Sequence, residues 1–97
     1  MIDGLKTIKA LHKKLQKLNI PHNYVKDRDG MRIDYPDSES PKVSFLENYA
    51  SKGNEQGEDL LEIIDYSTED FAPSEGYYTL QDAMNSIEPY EWERNYA

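Results

Sequence analysis

The sequence predicts a single α+β domain in which a helix at each end of the chain packs on a four- or five-stranded, mostly antiparallel sheet, a two-layer sandwich. Three observations predict this fold. The first and last stretches carry apolar residues at helical spacing, several short strand-like segments lie between them, and polar turns join the segments. At 97 residues the chain is too short for a second hydrophobic core, so we expect residues 1–97 to form one domain.

The first predicted element is a helix whose apolar residues recur every three or four positions and therefore form one face. These residues are Leu5, Ile8, Leu11, Leu15 and Leu18. Asp3 is the expected N-cap. At the other end, Asn19 is expected in the left-handed C′ position with Ile20 closing back onto the last turn, and Pro21 cannot continue a helix.

Two strands at residues 22–26 and 31–35 are predicted to form a hairpin around the turn pair Asp29–Gly30. Because side chains alternate along a strand, the second strand has one set directed to the core and one set turned outward. The core-facing set is Met31, Ile33 and Tyr35, and the outward set is Arg32 and Asp34. Pro36 is expected to end this strand.

Residues 42–49 predict a third strand, with Val43 and Phe45 on one side and Leu46 on the other. Residues 60–66 predict a fourth strand with apolar residues on both faces, which indicates a central strand or one covered by a helix. The sequence Gly-Tyr-Tyr-Thr at 76–79 offers a short edge strand.

The last predicted element is a helix that begins with a capping box at Thr79, in which Asp82 takes the place of the usual Glu. Its apolar face comprises Leu80, Ala83, Met84 and Ile87. Pro89 is expected to end or restart this helix because proline lacks the N–H that a helix interior needs. Residues 89–97 are therefore predicted to form a polar, aromatic tail.

The charge of the chain is unevenly distributed. The formal net charge is −8. Residues 1–32 hold eight Lys or Arg against three Asp, a net charge of +5, whereas residues 33–97 hold three Lys or Arg against sixteen Asp or Glu, a net charge of −13. Such asymmetry indicates that electrostatics contributes to the choice of partner.

Several classes of protein are not favoured by the composition. The chain has no cysteine, which removes disulfides, thiolate metal sites and a cysteine nucleophile. The first residues lack the apolar segment of a signal peptide, and no apolar run is long enough to cross a membrane. We therefore expect a cytoplasmic protein without a membrane partner.

No catalytic residue, metal ligand or cofactor site is predicted. Glu62 and Asp65 differ by three positions, so on a strand they lie on opposite faces and do not form an acid–base pair. Residues 27–34 lack the order of carboxylates and the closing Glu of a calcium loop. His12 and His22 lie ten positions apart with no ligand at metal-binding spacing, and no serine lies in a Gly-x-Ser-x-Gly motif.

The acidic part of the chain instead predicts a protein-binding surface. Its candidate residues are Glu55, Glu58, Asp59, Glu62, Asp65, Glu69 and Asp70. Candidate aromatic anchors are Tyr24, Tyr35, Tyr49, Tyr77, Tyr78, Tyr90 and Trp92. A stripe of lysines runs along the first helix. Direct nucleic-acid binding is nevertheless not favoured, because the chain is acidic and no aromatic residues interleave with the lysines.

The second half of the chain contains a Gly-x-Glu-Gln-Gly turn, a Leu-Leu-Glu-Ile strand and a Gly-Tyr-x-Thr helix start. In these motifs it resembles a group of small uncharacterised proteins of Gram-positive bacteria and their prophages. The matching residues are Gly53, Glu55, Gln56, Gly57, the range 60–63, Gly76, Tyr77 and Thr79, whereas Tyr78 departs from the usual Leu. The resemblance implies no activity. It does imply a protein of phage or mobile-element origin.

Three functional hypotheses follow. The first is a phage or prophage accessory protein that binds or inhibits a host protein through its acidic surface. The second is a self-associating structural protein, with a homodimer as its simplest form. The third, least favoured by the residues, is a hydrolase that uses carboxylates and a divalent ion.

Overall fold

The computed structural model describes residues 6–27, 30–47, 61–66 and 78–96. These residues form two helices and a four-stranded antiparallel sheet, with one helix before the strands and one after them. The elements are α1 (Lys6–Lys17), β1 (Asn23–Asp27), β2 (Gly30–Tyr35), β3 (Val43–Glu47), β4 (Glu62–Asp65) and α2 (Leu80–Tyr96). The predicted α+β fold is confirmed.

Helix α1 forms and ends where its sequence predicts. Its fully buried residues are Ile8, Leu11 and Leu15. Asn19 has a φ of 57°, which is the left-handed conformation. The N–H of Ile20 donates to the carbonyl of Leu15 at 2.9 Å, and the N–H of Asn19 donates to that of Gln16 at 3.1 Å. These two bonds form a Schellman motif, so the predicted helix end is confirmed.

The start of α1 is held by a side chain from the sheet. Glu47, the last residue of β3, is completely buried, and its Oε1 accepts a hydrogen bond from the N–H of Ile8 at 2.9 Å. Ile8 lies in the first turn, where N–H groups have no partner within the helix and the dipole favours a carboxylate. The predicted N-cap, Asp3, lies outside the described residues.

The sheet is a meander in the order β1-β2-β3-β4 with every neighbouring pair antiparallel. The β1–β2 hairpin is confirmed, but Asp27 pairs with Gly30, so Gly30 lies in β2 rather than in the turn. Positions 28 and 29, including the predicted turn residue Asp29, lie outside the described residues. Strand β2 ends at Tyr35 as predicted, and the peptide bond to Pro36 is cis.

One face of the sheet packs on both helices and forms the core. Tyr24, Ile33, Phe45 and Ile63 stand opposite one another across the four strands. The buried cluster comprises Ile8, Leu11, Leu15, Ile33, Tyr35, Val43, Phe45, Leu61, Ala83 and Ile87. Each large apolar side chain removed from water stabilises the fold by about 1.5–3 kcal/mol. The predicted facing of β2 and β3 is confirmed by these residues.

The opposite face of the sheet contains a buried carboxylate. Asp34 points away from the helices, as predicted, yet it is only 3% exposed. Its oxygens accept hydrogen bonds from the hydroxyls of Ser38 and Ser44, both at 2.7 Å, and one of them lies 2.9 Å from Nε of Arg32. Burial opposes ionisation of Asp34, but these donors outweigh it and lower the pKa of the carboxyl.

Among the described strands, β4 comes last in the sheet order and pairs with β3. Leu61, just before β4, exchanges two backbone hydrogen bonds with Tyr78, with N···O distances of 2.7 and 3.1 Å. This single bridge stands where a fifth strand was predicted, and positions 76 and 77 lie outside the described residues. Leu61 is buried, and Ile64 on the opposite face is half-buried.

Candidate protein-interaction surface

Helix α2 begins at the predicted capping box. Oδ2 of Asp82 accepts hydrogen bonds from the backbone N–H of Thr79 at 2.9 Å and from its hydroxyl at 3.1 Å. The N–H of Asp82 in turn donates to Oγ1 of Thr79 at 3.2 Å. Asp82 therefore makes both of the reciprocal hydrogen bonds that Glu makes in a usual capping box. These bonds between neighbouring residues fix the start of the helix.

Helix α2 continues through Pro89 to Tyr96, so the prediction that Pro89 ends or restarts the helix is wrong. Proline in a helix interior removes the hydrogen bond to the carbonyl four residues earlier, that of Asn85, at a cost of about 3 kcal/mol. Contacts with the rest of the fold must offset this cost. The predicted tail is instead the last two turns of the helix.

Two tyrosine hydroxyls anchor this second half of α2. The hydroxyl of Tyr35 donates to Oε2 of Glu91 at 2.5 Å, and that of Tyr90 donates to Oδ1 of Asp65 at 3.2 Å. Arg94 donates to both oxygens of Glu91, from Nε at 2.9 Å and from Nη2 at 2.7 Å. The hydrogen bond from Arg94 lowers the pKa of Glu91, while burial and then Glu91 raise the pKa of Tyr35. Glu91 is therefore charged and Tyr35 a neutral donor near pH 7.

The outer face of α2 carries two exposed aromatic side chains. Trp92 is 63% exposed and Tyr96 is 74% exposed, and their ring centroids lie 5.6 Å apart. They are four positions apart, so they stand on the same side of the helix. Exposed carboxylates on the same helix are Asp82, Glu88 and Glu93. An exposed Trp–Tyr pair is typical of an interaction site because Trp and Tyr are among the residues that most often dominate binding energy.

A groove of about 520 Å³ lies between the C-terminal end of α1 and α2. Its apolar lining includes Ile20, Met84 and Leu18, and its polar lining includes Glu88 and Asn95. Leu18, the last residue of the predicted apolar face, directly follows α1 and is 51% exposed. Its side chain lines the groove instead of joining the buried cluster.

Two of the seven predicted acidic site residues lie in the described part of the chain. Glu62 and Asp65 are both half-buried and, as expected from their spacing, stand on opposite faces of β4. Asp65 accepts the hydroxyl of Tyr90 on the helix side. The other five, Glu55, Glu58, Asp59, Glu69 and Asp70, lie outside the described residues. The exposed carboxylates of α2 are additional to this set.

The predicted aromatic anchors separate into two groups. Tyr35 is buried, and Tyr24 and Tyr90 pack against the core. Tyr78 and Trp92 are exposed, at 39% and 63%. Tyr49 and Tyr77 lie outside the described residues. Tyr96 was missed because the sequence placed it in a tail, and extension of the helix through Pro89 is what brings it beside Trp92.

The two histidines meet at the junction of α1 and β1. Nδ1 of His12 lies 2.9 Å from Nε2 of His22, whose Nδ1 hydrogen-bonds the carbonyl of Ile20 at 2.8 Å. The ring of His12 stacks on Tyr24 at 4.1 Å. Burial, and then the charge of His22, lower the pKa of His12. The sequence did not predict this contact, because the two histidines are ten positions apart. The chain reversal at the end of α1 brings them together.

Among residues 6–27, 30–47, 61–66 and 78–96, no group of three or more histidine or carboxylate side chains is placed to hold a metal ion. Neither described helix is long and apolar enough to cross a membrane.

The chain matches no protein-family model, no curated protein and no solved structure. The surface of α2 and the charge of the chain are therefore the features that indicate a function.

Proposed function

We propose that this chain is a small interaction protein without enzymatic activity that binds a host protein through the outer face of α2. The observation that carries the proposal is the exposed pair of Trp92 and Tyr96 on this helix. A monomer gains nothing from leaving so much aromatic surface in water, whereas a partner that covers it removes that surface from solvent. The resemblance described above favours an accessory protein of a phage or prophage.

The charge of the chain supports a partner with a basic surface. The formal net charge is −8, and exposed Asp82, Glu88 and Glu93 lie on the same helix as the aromatic pair. The predicted acidic residues between positions 55 and 70 add to this field. Complementary charge steers the encounter and weakens as salt screens it, while aromatic anchors govern dissociation. The complex should therefore form more slowly at higher salt.

The test is affinity capture from host-cell lysate at low and moderate salt, with retained proteins identified by mass. The intact chain is compared with Trp92→Ala, and a retained protein is then purified for direct titration. We expect Trp92→Ala to weaken its binding by about 30-fold or more, the effect of losing a dominant anchor.

The matched control is Lys26→Ala, which changes an exposed residue on β1, away from α2. Circular dichroism must show that both variants keep the fold. A partner held equally well by Trp92→Ala and by Lys26→Ala would falsify the proposed role of α2. Retention that is indifferent to salt would contradict the role of its carboxylates.

A second candidate function is self-association, and one observation favours it. The basic outer face of α1, with exposed Lys6, Lys13 and Lys17, lies in the same layer as acidic α2. A second copy turned over this layer places lysines of one molecule opposite carboxylates of the other. Light scattering discriminates the two candidates, because only self-association gives a mass that rises with the concentration of the pure chain.

A further inference from the structure

A second cavity, of about 330 Å³, lies where β2 ends and the last turns of α2 pass over it. Its lining residues are Tyr35, Pro36, Lys42, Tyr90, Glu93 and Arg94. The volume is within the range of about 300–1,000 Å³ that is typical of small-molecule sites. The cavity is separate from the exposed aromatic pair on the outer side of α2.

The cavity brings together two of the few cations of an acidic segment. Residues 33–97 contain three Lys or Arg against sixteen Asp or Glu. Two of those three cations, Lys42 and Arg94, line the cavity, together with a single carboxylate, that of Glu93. Because Glu93 and the Arg94-bound Glu91 offset this charge, an anion here would be held by the directed donors of Lys42 and Arg94 rather than by net charge.

Both cations are held in place and retain hydrogen-bonding capacity. The backbone of Lys42 donates to the carbonyl of Tyr35 at 2.6 Å, and its Nζ lies 5.4 Å from the centroid of the Tyr90 ring. Arg94 uses its Nε and Nη2 groups on Glu91. A guanidinium has five N–H donors, so Arg94 can hold Glu91 and still donate to a second anion.

The remaining walls are aromatic or apolar rings. The centroids of Tyr35 and Tyr90 lie 6.3 Å apart with their planes inclined at 46°. Both hydroxyls are committed to carboxylates, so the two residues offer the cavity mainly their ring carbons. Pro36 adds a third apolar wall. Such walls favour a flat ring over a small hydrated ion.

We propose that this cavity binds a small aromatic anion, with its carboxylate or phosphate between Lys42 and Arg94 and its ring against Tyr90 and Pro36. The proposal goes beyond the interaction function and does not depend on it. Benzoate and phenyl phosphate represent the two kinds of anionic group on the same ring.

The test is a titration followed by NMR chemical shifts of the backbone amides. Benzoate and phenyl phosphate are added up to about 20 mM to the intact chain, and phenol and inorganic phosphate are added separately as references. We expect saturable shifts centred on residues 35, 42 and 90 with at least one aromatic anion. Lys42→Gln should weaken that binding by about tenfold, and the matched variant Lys26→Gln should not.

Three outcomes overturn the proposal. One is the absence of saturable shifts with both aromatic anions. Another is binding of phenol or inorganic phosphate as tight as that of the aromatic anions, which removes the need for charge and ring together. The third is equal weakening by Lys42→Gln and Lys26→Gln. Partner capture with Lys42→Gln is measured in parallel, so failure of this site is distinguished from failure of the α2 surface.

Discussion

The two helices lie on the same face of the sheet but are held there by different means. Over twelve residues, α1 buries three large aliphatic side chains completely and directs its lysines to solvent. Over seventeen residues, α2 buries only Ala83 and Ile87 completely. Its second half is attached through the Tyr35–Glu91 and Tyr90–Asp65 hydrogen bonds. An apolar stripe holds α1, whereas directed polar contacts hold the end of α2.

The difference explains where large apolar side chains are exposed. A helix held by its apolar stripe has its largest hydrophobic residues inside and little but charge outside. In α2, the polar contacts free Trp92 and Tyr96 from packing on the sheet, and both remain exposed. The comparison therefore predicts that the stability of the fold depends most on α1 and that binding depends most on α2.

The largest expected effect comes from removing a buried apolar side chain of α1. Leu11→Ala removes a fully buried side chain from the core that both helices share. We expect the free energy of unfolding to fall by about 2–5 kcal/mol, since the lost burial is joined by the cost of a cavity. Urea denaturation followed by circular dichroism measures this change.

The control for this variant is Lys13→Ala, an exposed position on the same helix. A surface substitution there should change the free energy of unfolding by less than about 0.5 kcal/mol. If Leu11→Ala and Lys13→Ala destabilise the chain equally, the apolar stripe is not what holds α1.

Most of α1 and the sheet can be predicted from sequence because local signals there agree with the tertiary fold. The stripe of α1, the left-handed Asn19 and the alternation of β2 each specify their element without distant partners. Helix α2 differs in its second half. Pro89 is a local signal to stop, and it is overridden by Tyr35 and Glu91, which are 56 positions apart in sequence.

The same reason limits prediction of the candidate site. The sequence predicts Trp92 as a candidate anchor, but the place of Tyr96 follows only once α2 is known to continue. The contact of His12 with His22 and the position of Lys42 near Tyr90 also depend on tertiary packing. Clusters that join distant segments have no periodicity for a single sequence to display.

An intermediate effect is expected from removing one of the hydrogen bonds that hold the end of α2. Tyr35→Phe removes the hydroxyl that binds Glu91 and leaves the buried ring in place. We expect the free energy of unfolding to fall by about 1–2 kcal/mol, because the lost hydrogen bond has a charged acceptor and that carboxylate keeps Arg94 as a partner. Hydrogen exchange should show the largest loss of protection at residues 91–96.

Tyr96→Phe is the matched control, because it removes the same atom from an exposed ring on the same helix. It should leave both stability and protection nearly unchanged. Loss of protection spread evenly over α1 and α2 in Tyr35→Phe would contradict a local role for the hydroxyl.

The smallest expected effect is a difference in how the two helices respond to acid. The pKa of His12 is lowered from its ordinary 6.5 by burial and by His22, so the unfolded chain takes up the proton first. Stability therefore falls as the pH drops below 6.5 and levels off below the folded pKa. The pKa of Glu91 is lowered from 4.5, so its contribution to stability is complete above pH 4.5 and is lost as the pH falls through the folded pKa.

From about pH 7 to about pH 5, of these two groups only His12 changes its charge, and it acts on α1 and its contact with Tyr24. Urea denaturation across this range should show falling stability in the intact chain and a shallower fall in His12→Phe, which keeps an aromatic ring but cannot bind a proton. An equal slope in both proteins would assign the pH response to groups other than His12, and a rise in stability toward pH 5 would reverse the sign argued for this contact.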